Sequence, residues 1–303
     1  MHSPSVIALG FFDGVHLGHM ALLRTVRARA DALGLQAMAL SFDVHPDTLV
    51  RHMSAPLLST PSQRERLLLE EGGMDKVQFL HFDEAFMNMP WQTFLDEILI
   101  RQFAAAHLVC GYDYRFGARG QGTAQALAAA CRARGLGCDV VDKVELDGIT
   151  VSSTHIRALL SAGDAAQAAR FLGRPYCLTG RVVHGNGLGR AWGTPTANLI
   201  PAPELLLPKR GVYITRAWCA GGDYAAVTNV GMRPTVDGGE TRVEAWLLDY
   251  DGDLYGQEIA LDFYAYLRPE RKFGSVEALR DEIIKNAGQT RDFFSARAEK
   301  EEP

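Results

Sequence analysis

Short apolar runs alternate with helical patterns over the first half of the chain. Strand-like runs fall at residues 6–12, 37–44, 76–82, 107–112 and 138–144. Between them, apolar positions recur at helical spacing over 18–33, 62–71, 91–103 and 123–134. This alternation predicts a parallel sheet covered by helices on both faces, joined by right-handed crossovers. Two further helical segments, 154–160 and 165–172, precede a change of pattern. Gly163 follows the first, and Gly173 and Pro175 follow the second, as helix stops. A domain boundary is expected near Arg174, giving domains 1–174 and 175–303.

Beyond it, runs rich in β-branched and aromatic residues occupy 176–184, 212–219, 224–230, 242–249 and 258–266. Gly221-Gly222, Gly238-Gly239 and Asp251-Gly252-Asp253 supply the turns. Short strands at close spacing predict an antiparallel barrel or sandwich. The tail, 276–298, reads as helix with a break near Gly288.

Length and composition agree with two globular domains. The chain has 303 residues, and a hydrophobic share of 47% excludes a disordered or fibrous chain. Lys plus Arg number 31 against 36 Asp plus Glu, a net charge of −5 that argues against a nucleic-acid or membrane-surface partner. No apolar run reaches the roughly 18 residues of a spanning helix, and no basic segment with a long apolar core opens the chain. A cytoplasmic protein is expected. Five cysteines, an odd number with no C-x-x-C pair, suit unpaired thiols in a reducing compartment.

Ligands of an open α/β sheet bind outside the carboxyl ends of the strands. The polar clusters of the first half fall there. The first strand runs into Gly10-Phe11-Phe12-Asp13-Gly14-Val15-His16-Leu17-Gly18-His19, the second into His45-Pro46 and the fourth into Gly111-Tyr112-Asp113-Tyr114-Arg115-Phe116-Gly117. The fifth is followed by Ser152-Ser153-Thr154-His155-Ile156-Arg157. Gly14 and Gly18 allow close approach of backbone to ligand. A helix starting near Gly18 offers free N–H groups to an anion. His16 and His19, three apart, can face one phosphate and stabilise charge that develops there. Ser152, Ser153 and Thr154 precede a helix, and Arg157 adds a forked cation. Singly, each has a plainer reading: Asp13-Gly14 a turn, the serines and threonine an N-cap, His81 and His107 structural or solvent-facing. No P-loop sequence is present.

Taken together, this motif series resembles that of the prokaryotic bifunctional riboflavin kinase/FAD synthetases. The resemblance implies a Rossmann-like nucleotidylyltransferase domain that transfers AMP from ATP to FMN, with Mg²⁺, giving FAD and pyrophosphate. It further implies ATP contacts at Gly10, Phe12, Asp13, Gly14, His16, Gly18 and His19. Ser152, Ser153, Thr154 and Arg157 would hold the pyrophosphate, and His45, Asp113 and Phe116 would face the flavin. Tyr112 and Tyr114 stand where the family more often has Phe.

In the second half, the stretch from Gly180 to Leu199 is rich in glycine. It includes Gly185, Gly187, Gly189 and Arg190 before Thr194-Pro195-Thr196-Ala197-Asn198. Glycines after a strand can present N–H groups to phosphates, or simply make a hairpin. Pro195 stiffens the segment, and the Thr196 hydroxyl and Asn198 amide oxygen are hard ligands that suit Mg²⁺. This stretch resembles the riboflavin kinase signature, and the likeness continues through Asn229-Val230-Gly231, Glu244, Leu254-Tyr255-Gly256 and Leu267-Arg268-x-Glu270-x-Lys272-Phe273.

It implies a β-barrel of about six strands, Mg²⁺ on Thr196 and Asn198, and Glu244 as general base for the riboflavin 5′-hydroxyl. By strand alternation alone Glu244 is an exposed residue between inward-facing Val243 and Ala245. Thr194 replaces a Phe common in the family. Arg268 and Arg271 are candidates for flavin or phosphate contact, or solvated charges. The expected substrates are riboflavin, FMN and ATP. A monofunctional nucleotidylyltransferase and a flavin sensor without turnover are the competing readings.

Overall fold

The computed structural model describes residues 3–50, 56–185, 194–233 and 240–301. The chain forms two compact units, one ending at Ser153 and the other beginning at Thr154. Compactness therefore divides the chain ahead of Arg174, and the helices α7 and α8 defined below group with the second unit.

In the first unit, strands β1 (Ser5–Leu9), β2 (Gln36–Phe42), β3 (Lys76–Leu80), β4 (Ala105–Gly111) and β7 (Gly137–Val141) form one sheet in the order β3-β2-β1-β4-β7. Every neighbouring pair in it is parallel. Two short hairpins accompany it: β5 (Arg115–Phe116) with β6 (Gly122–Thr123), and β8 (Glu145–Leu146) with β9 (Ile149–Thr150). Ile7 and Leu9 enter one core cluster, with Phe94, Leu99 and Leu127. Val6 and Ala8 enter another, with Leu23, Val26 and Leu68. Both faces are thus buried, which is why these strands read as unbroken apolar runs rather than alternating ones.

Helix α1 (Leu17–Leu33) is capped by His16 at its start and by Gly34, at φ 64°, at its end. Helix α2 (Pro46–Val50) follows β2. Helix α3 (Pro61–Glu70) opens on a capping box between Thr60 and Gln63, with Pro61 in its first turn. Helices α4 (Glu84–Met87) and α5 (Trp91–Thr93) follow, and α5 continues as a π-helix over Phe94–Gln102. Helix α6 is Ala124–Ala133. Strand order reverses on either side of β1, so the switch point of the sheet lies between β1 and β4.

The second unit begins with α7 (Ser153–Ala162, from Thr154 onward) and α8 (Ala165–Leu172). Strands β10 (Tyr176–Val183), β11 (Ala197–Pro201), β12 (Gly211–Cys219), β13 (Gly222–Arg233), β14 (Glu240–Leu247) and β15 (Glu258–Arg268) close into a barrel in the order β10-β11-β14-β13-β12-β15. The first strand pairs with the last, Tyr176 opposite Phe263 and Arg181 opposite Glu258. Tyr176, Leu178, Tyr213, Val243, Ala245, Leu261 and Phe263 are buried.

Helix α9 (Val276–Glu301) packs against β13. It runs through Gly288 without the expected break: open space surrounds that position, and an exposed glycine weakens a helix by only about 1 kcal/mol. Strand β11 was not predicted from the pattern. The five cysteines form no disulfide with one another.

Candidate active sites in the two units

A cleft of about 1290 Å³ opens at the carboxyl ends of the first unit's strands. The turn from β1 to α1 forms part of its wall. In that turn Phe12 (φ 58°), Gly14 (φ 77°) and Val15 (φ 42°) all take left-handed conformations. For Phe and a β-branched Val this costs on the order of 1–3 kcal/mol each, and such strain persists only where the surroundings over-determine it.

The turn ends by aiming two imidazoles. His16 caps α1, its Nδ1 accepting the His19 N–H at 3.3 Å. A neutral ring that accepts at Nδ1 carries its proton at Nε2. The His16 and His19 rings stack, centroids 3.6 Å apart and 9° from parallel, with the Phe12 ring edge-on to His19. Both histidines line the cleft, as do Gly10, Phe12 and Gly18. A Cβ at Gly18 would stand 3.2 Å from the His16 ring, so a side chain there would crowd the pair.

Asp13 is placed differently from the sequence expectation. Its carboxylate is buried and accepts the backbone N–H groups of Leu58 (2.9 Å) and Ser59 (3.1 Å). Gly14 donates its N–H to the Ser59 hydroxyl, and the Ser153 hydroxyl donates to the Asp13 carbonyl. Among the described residues, Asp13 and Gly14 do not line the cleft. Burial and the nearby amides commit this carboxylate to holding the turn.

Ser152 and Ser153 line the cleft, whereas Thr154 and Arg157 fall in the second unit. Asp113 and Phe116 also line it. His45 meets it through Phe11: the two rings sit edge to face at 4.5 Å. An aromatic wall of Phe42, Phe82, Phe86 and Phe94 continues the cleft, and Tyr114 stacks on Phe116. Desolvation pushes the Tyr114 phenol well up. Phe42, Phe82 and Phe94 fall in the apolar runs 37–44, 76–82 and 91–103, whose spacing does not separate a cleft wall from a core face.

Arg64 carried no sequence signal beyond sharing a helix face with Leu68. Its side chain is wholly buried. Burial lowers its pKa to about 10, against the pull of Asp13 and Asp43, so it stays charged at neutral pH. His107 is structural, bonded to Asp139 at 3.0 Å, and Arg29 holds the same carboxylate. His81 is exposed and pairs with Asp43 at 2.8 Å.

The second unit has a pocket of about 1150 Å³ on the outer face of the barrel, walled also by α9. Thr196, Asn198, Glu244, Arg268 and Arg271 all line it, together with Gly185 and Thr194. Register explains the convergence. Glu244 on β14 is the direct partner of Asn198 on β11 and of Asn229 on β13. Val243 and Ala245, on either side, are fully buried in the barrel, which turns Glu244 outward.

Asn198 is 9% exposed, and its Oδ1 is buried without a hydrogen-bond partner. An orphaned amide oxygen in a pocket that Thr196 also lines offers the hard oxygen donors a divalent cation takes. Gly185 makes room for it: a Cβ there would lie 2.3 Å from Asn198 Nδ2. Gly187, Gly189 and Arg190 lie outside the described residues.

Arg268 donates to Asn286 at 3.0 Å, and both Arg268 and Arg271 pair with Glu282 of α9. Burial holds the Arg268 guanidinium below its usual range. Asn229 donates to Glu270 at 3.4 Å, and a Cβ on Gly231 would lie 2.3 Å from that carboxylate.

Comparison with known proteins bears on both pockets. Residues 1–155 match the FAD synthetase family and residues 172–294 the riboflavin kinase family. A bifunctional riboflavin kinase/FMN adenylyltransferase of Pseudomonas fluorescens is 37% identical, over 93% of this chain and 90% of its own. Its counterpart in Listeria monocytogenes is 34% identical, over 96% and 92%. That of Escherichia coli K12 is also 34% identical, over 95% and 92%. A solved chain described as a macrolide-efflux protein from Streptococcus pneumoniae has a TM-score of 0.87 and 31% identity, over 96% of this chain and 95% of its own. Among the described residues, no helix here is long and apolar enough to cross a membrane.

Proposed function

The chain belongs to the bifunctional riboflavin kinase/FMN adenylyltransferases, and we propose that its two pockets divide the two reactions between them. The outer barrel pocket phosphorylates riboflavin with ATP. The sheet cleft joins the resulting FMN to AMP from a second ATP, releasing pyrophosphate. The assignment gives residues 1–174 to adenylyl transfer and 175–303 to the kinase. The observation that carries it is the meeting of Thr196, Asn198 and Glu244 in one pocket, remote in sequence from the stacked His16 and His19 in another.

At the barrel, Glu244 accepts the proton of the ribityl 5′-hydroxyl as the hydroxyl oxygen attacks the γ-phosphorus of ATP, and the bond to the β-phosphate oxygen breaks to release ADP. Thr196 and Asn198 would hold Mg²⁺, which would neutralise phosphate charge. At the cleft, a phosphate oxygen of FMN displaces pyrophosphate from the α-phosphorus of ATP. His16 and His19 offer ring N–H groups to the phosphates, the α1 N-terminus adds its own, and Ser152 and Ser153 stand at the leaving side. The aromatic wall of the cleft suits a planar flavin ring. The acidic balance and cysteines without disulfides support a cytoplasmic enzyme acting on small molecules.

Incubation with riboflavin, ATP and Mg²⁺, followed by chromatography, tests the reading. FAD is the expected product. FMN alone would leave only the kinase, and unchanged riboflavin would leave a binder.

A further inference from the structure

We propose that Arg64 is a positioning residue for adenylyl transfer, which locks the ends of β1 and β2 so that the strained turn keeps His16 and His19 aimed at the nucleotide. This rests on the cleft being the adenylyl-transfer site. Arg64 Nη1 donates to the Phe11 carbonyl at 2.7 Å, and Nη2 donates to the Phe42 carbonyl at 3.0 Å. One planar fork thereby ties the residue that precedes the turn to the last residue of β2. The Ser41 hydroxyl donates to the same Phe11 carbonyl at 2.8 Å. The guanidinium lies 4.1 Å over the Phe11 ring, which also meets the His45 ring edge to face.

The lock is reciprocal. Arg64, on α3, grips the residue before Phe12. Asp13, in the turn, grips the Leu58 and Ser59 amides that lead into α3. Each segment therefore holds the other, with Asp13 and Asp43 compensating the buried guanidinium charge. Left-handed Phe12 lies between these two grips, and left-handed Val15 follows directly after them on the way to His16. Relaxed, the turn would move His16 and the amides of α1, and displacement of about 1 Å at a reacting centre costs on the order of 10²-fold in rate. Lysine carries the charge but lacks the fork, so it cannot satisfy both carbonyls.

The test measures both activities on full-length R64K. Expected are a fall of about 10²-fold in the rate of FAD formation from supplied FMN and a several-fold rise in the KM for ATP in that reaction, with the riboflavin kinase rate unchanged. A domain that merely unfolds in part loses active fraction without moving KM. Ser41→Ala, a smaller change at the same carbonyl, shifts that KM in the same direction by less. A wild-type KM in both variants overturns the proposal. So does a double variant R64K/D13N whose losses multiply, because a single lock cannot be broken twice. His19→Ala separates this from the premise: if it leaves FAD formation intact, the site assignment fails. If it lowers FAD formation while R64K keeps the wild-type rate and KM, only the role of Arg64 fails.

Discussion

Asn198 and Glu244 are direct partners across β11 and β14, a buried orphan amide oxygen beside an outward-turned carboxylate. The proposed metal ligand and the proposed general base are thus fixed by one register. A one-residue slip would turn either into the barrel core.

Replacing Glu244 with Gln removes the proton acceptor and keeps the shape. FMN formation falls by about 10²- to 10⁴-fold, the usual worth of a positioned base. FAD formation from supplied FMN stays at the wild-type rate. Parallel assays on one preparation check this, and equal loss of both would contradict the assignment.

Gly185→Ala acts on Asn198 by contact alone. The new methyl group would stand 2.3 Å from the amide nitrogen, so the side chain must move. Riboflavin kinase kcat/KM drops by roughly tenfold or more, and the Mg²⁺ concentration for half-maximal rate rises. A magnesium titration of the variant reads both.

His19→Ala leaves the kinase untouched and lowers FAD formation by about 10²- to 10³-fold, as expected when one charge-stabilising donor is lost. The His19 backbone N–H still reaches His16, so α1 keeps its cap. An unimpaired FMN-to-FAD rate would remove His19 from the site.

His81 titrates above its ordinary value, because its hydrogen bond to Asp43 and the attraction of that carboxylate favour the imidazolium. Asp43 lies below its own usual range: burial opposes this, but His81 and the Phe82 and Val44 amides outweigh it. The histidine's contribution to stability is complete below about pH 6.5 and is lost as pH rises through its raised value. The aspartate's is lost as pH falls through its lowered one. NMR titration of the His81 ring gives a midpoint above 6.5, and Asp43→Asn returns it to that value.

Much of this was legible because buried strands and helix faces impose strong periods. All five sheet strands are where the apolar runs place them, but each stops short of its run: β1 ends at Leu9, and Phe12 already has φ 58°. Apolar character continues into the cleft, so hydropathy cannot mark where pairing stops. β11 was hidden between Pro195 and Pro201, and only the family resemblance implied the sixth barrel strand. The convergence of Asn198 on Glu244 depends on a register that one sequence does not encode locally. Asp13 sits in the nucleotide motif yet binds amides, since a motif records a residue type and not its direction. Arg64 was invisible: a charge inside a helix reads as surface until a cavity of carbonyls is built around it.

The pairing of β10 with β15 sets an order on biosynthesis. No ring can form until Arg268 has left the ribosome, whereas the sheet already has its last strand at Val141. Domains that emerge first fold first. The half that matches the FAD synthetases is therefore ready before the half that matches the riboflavin kinases.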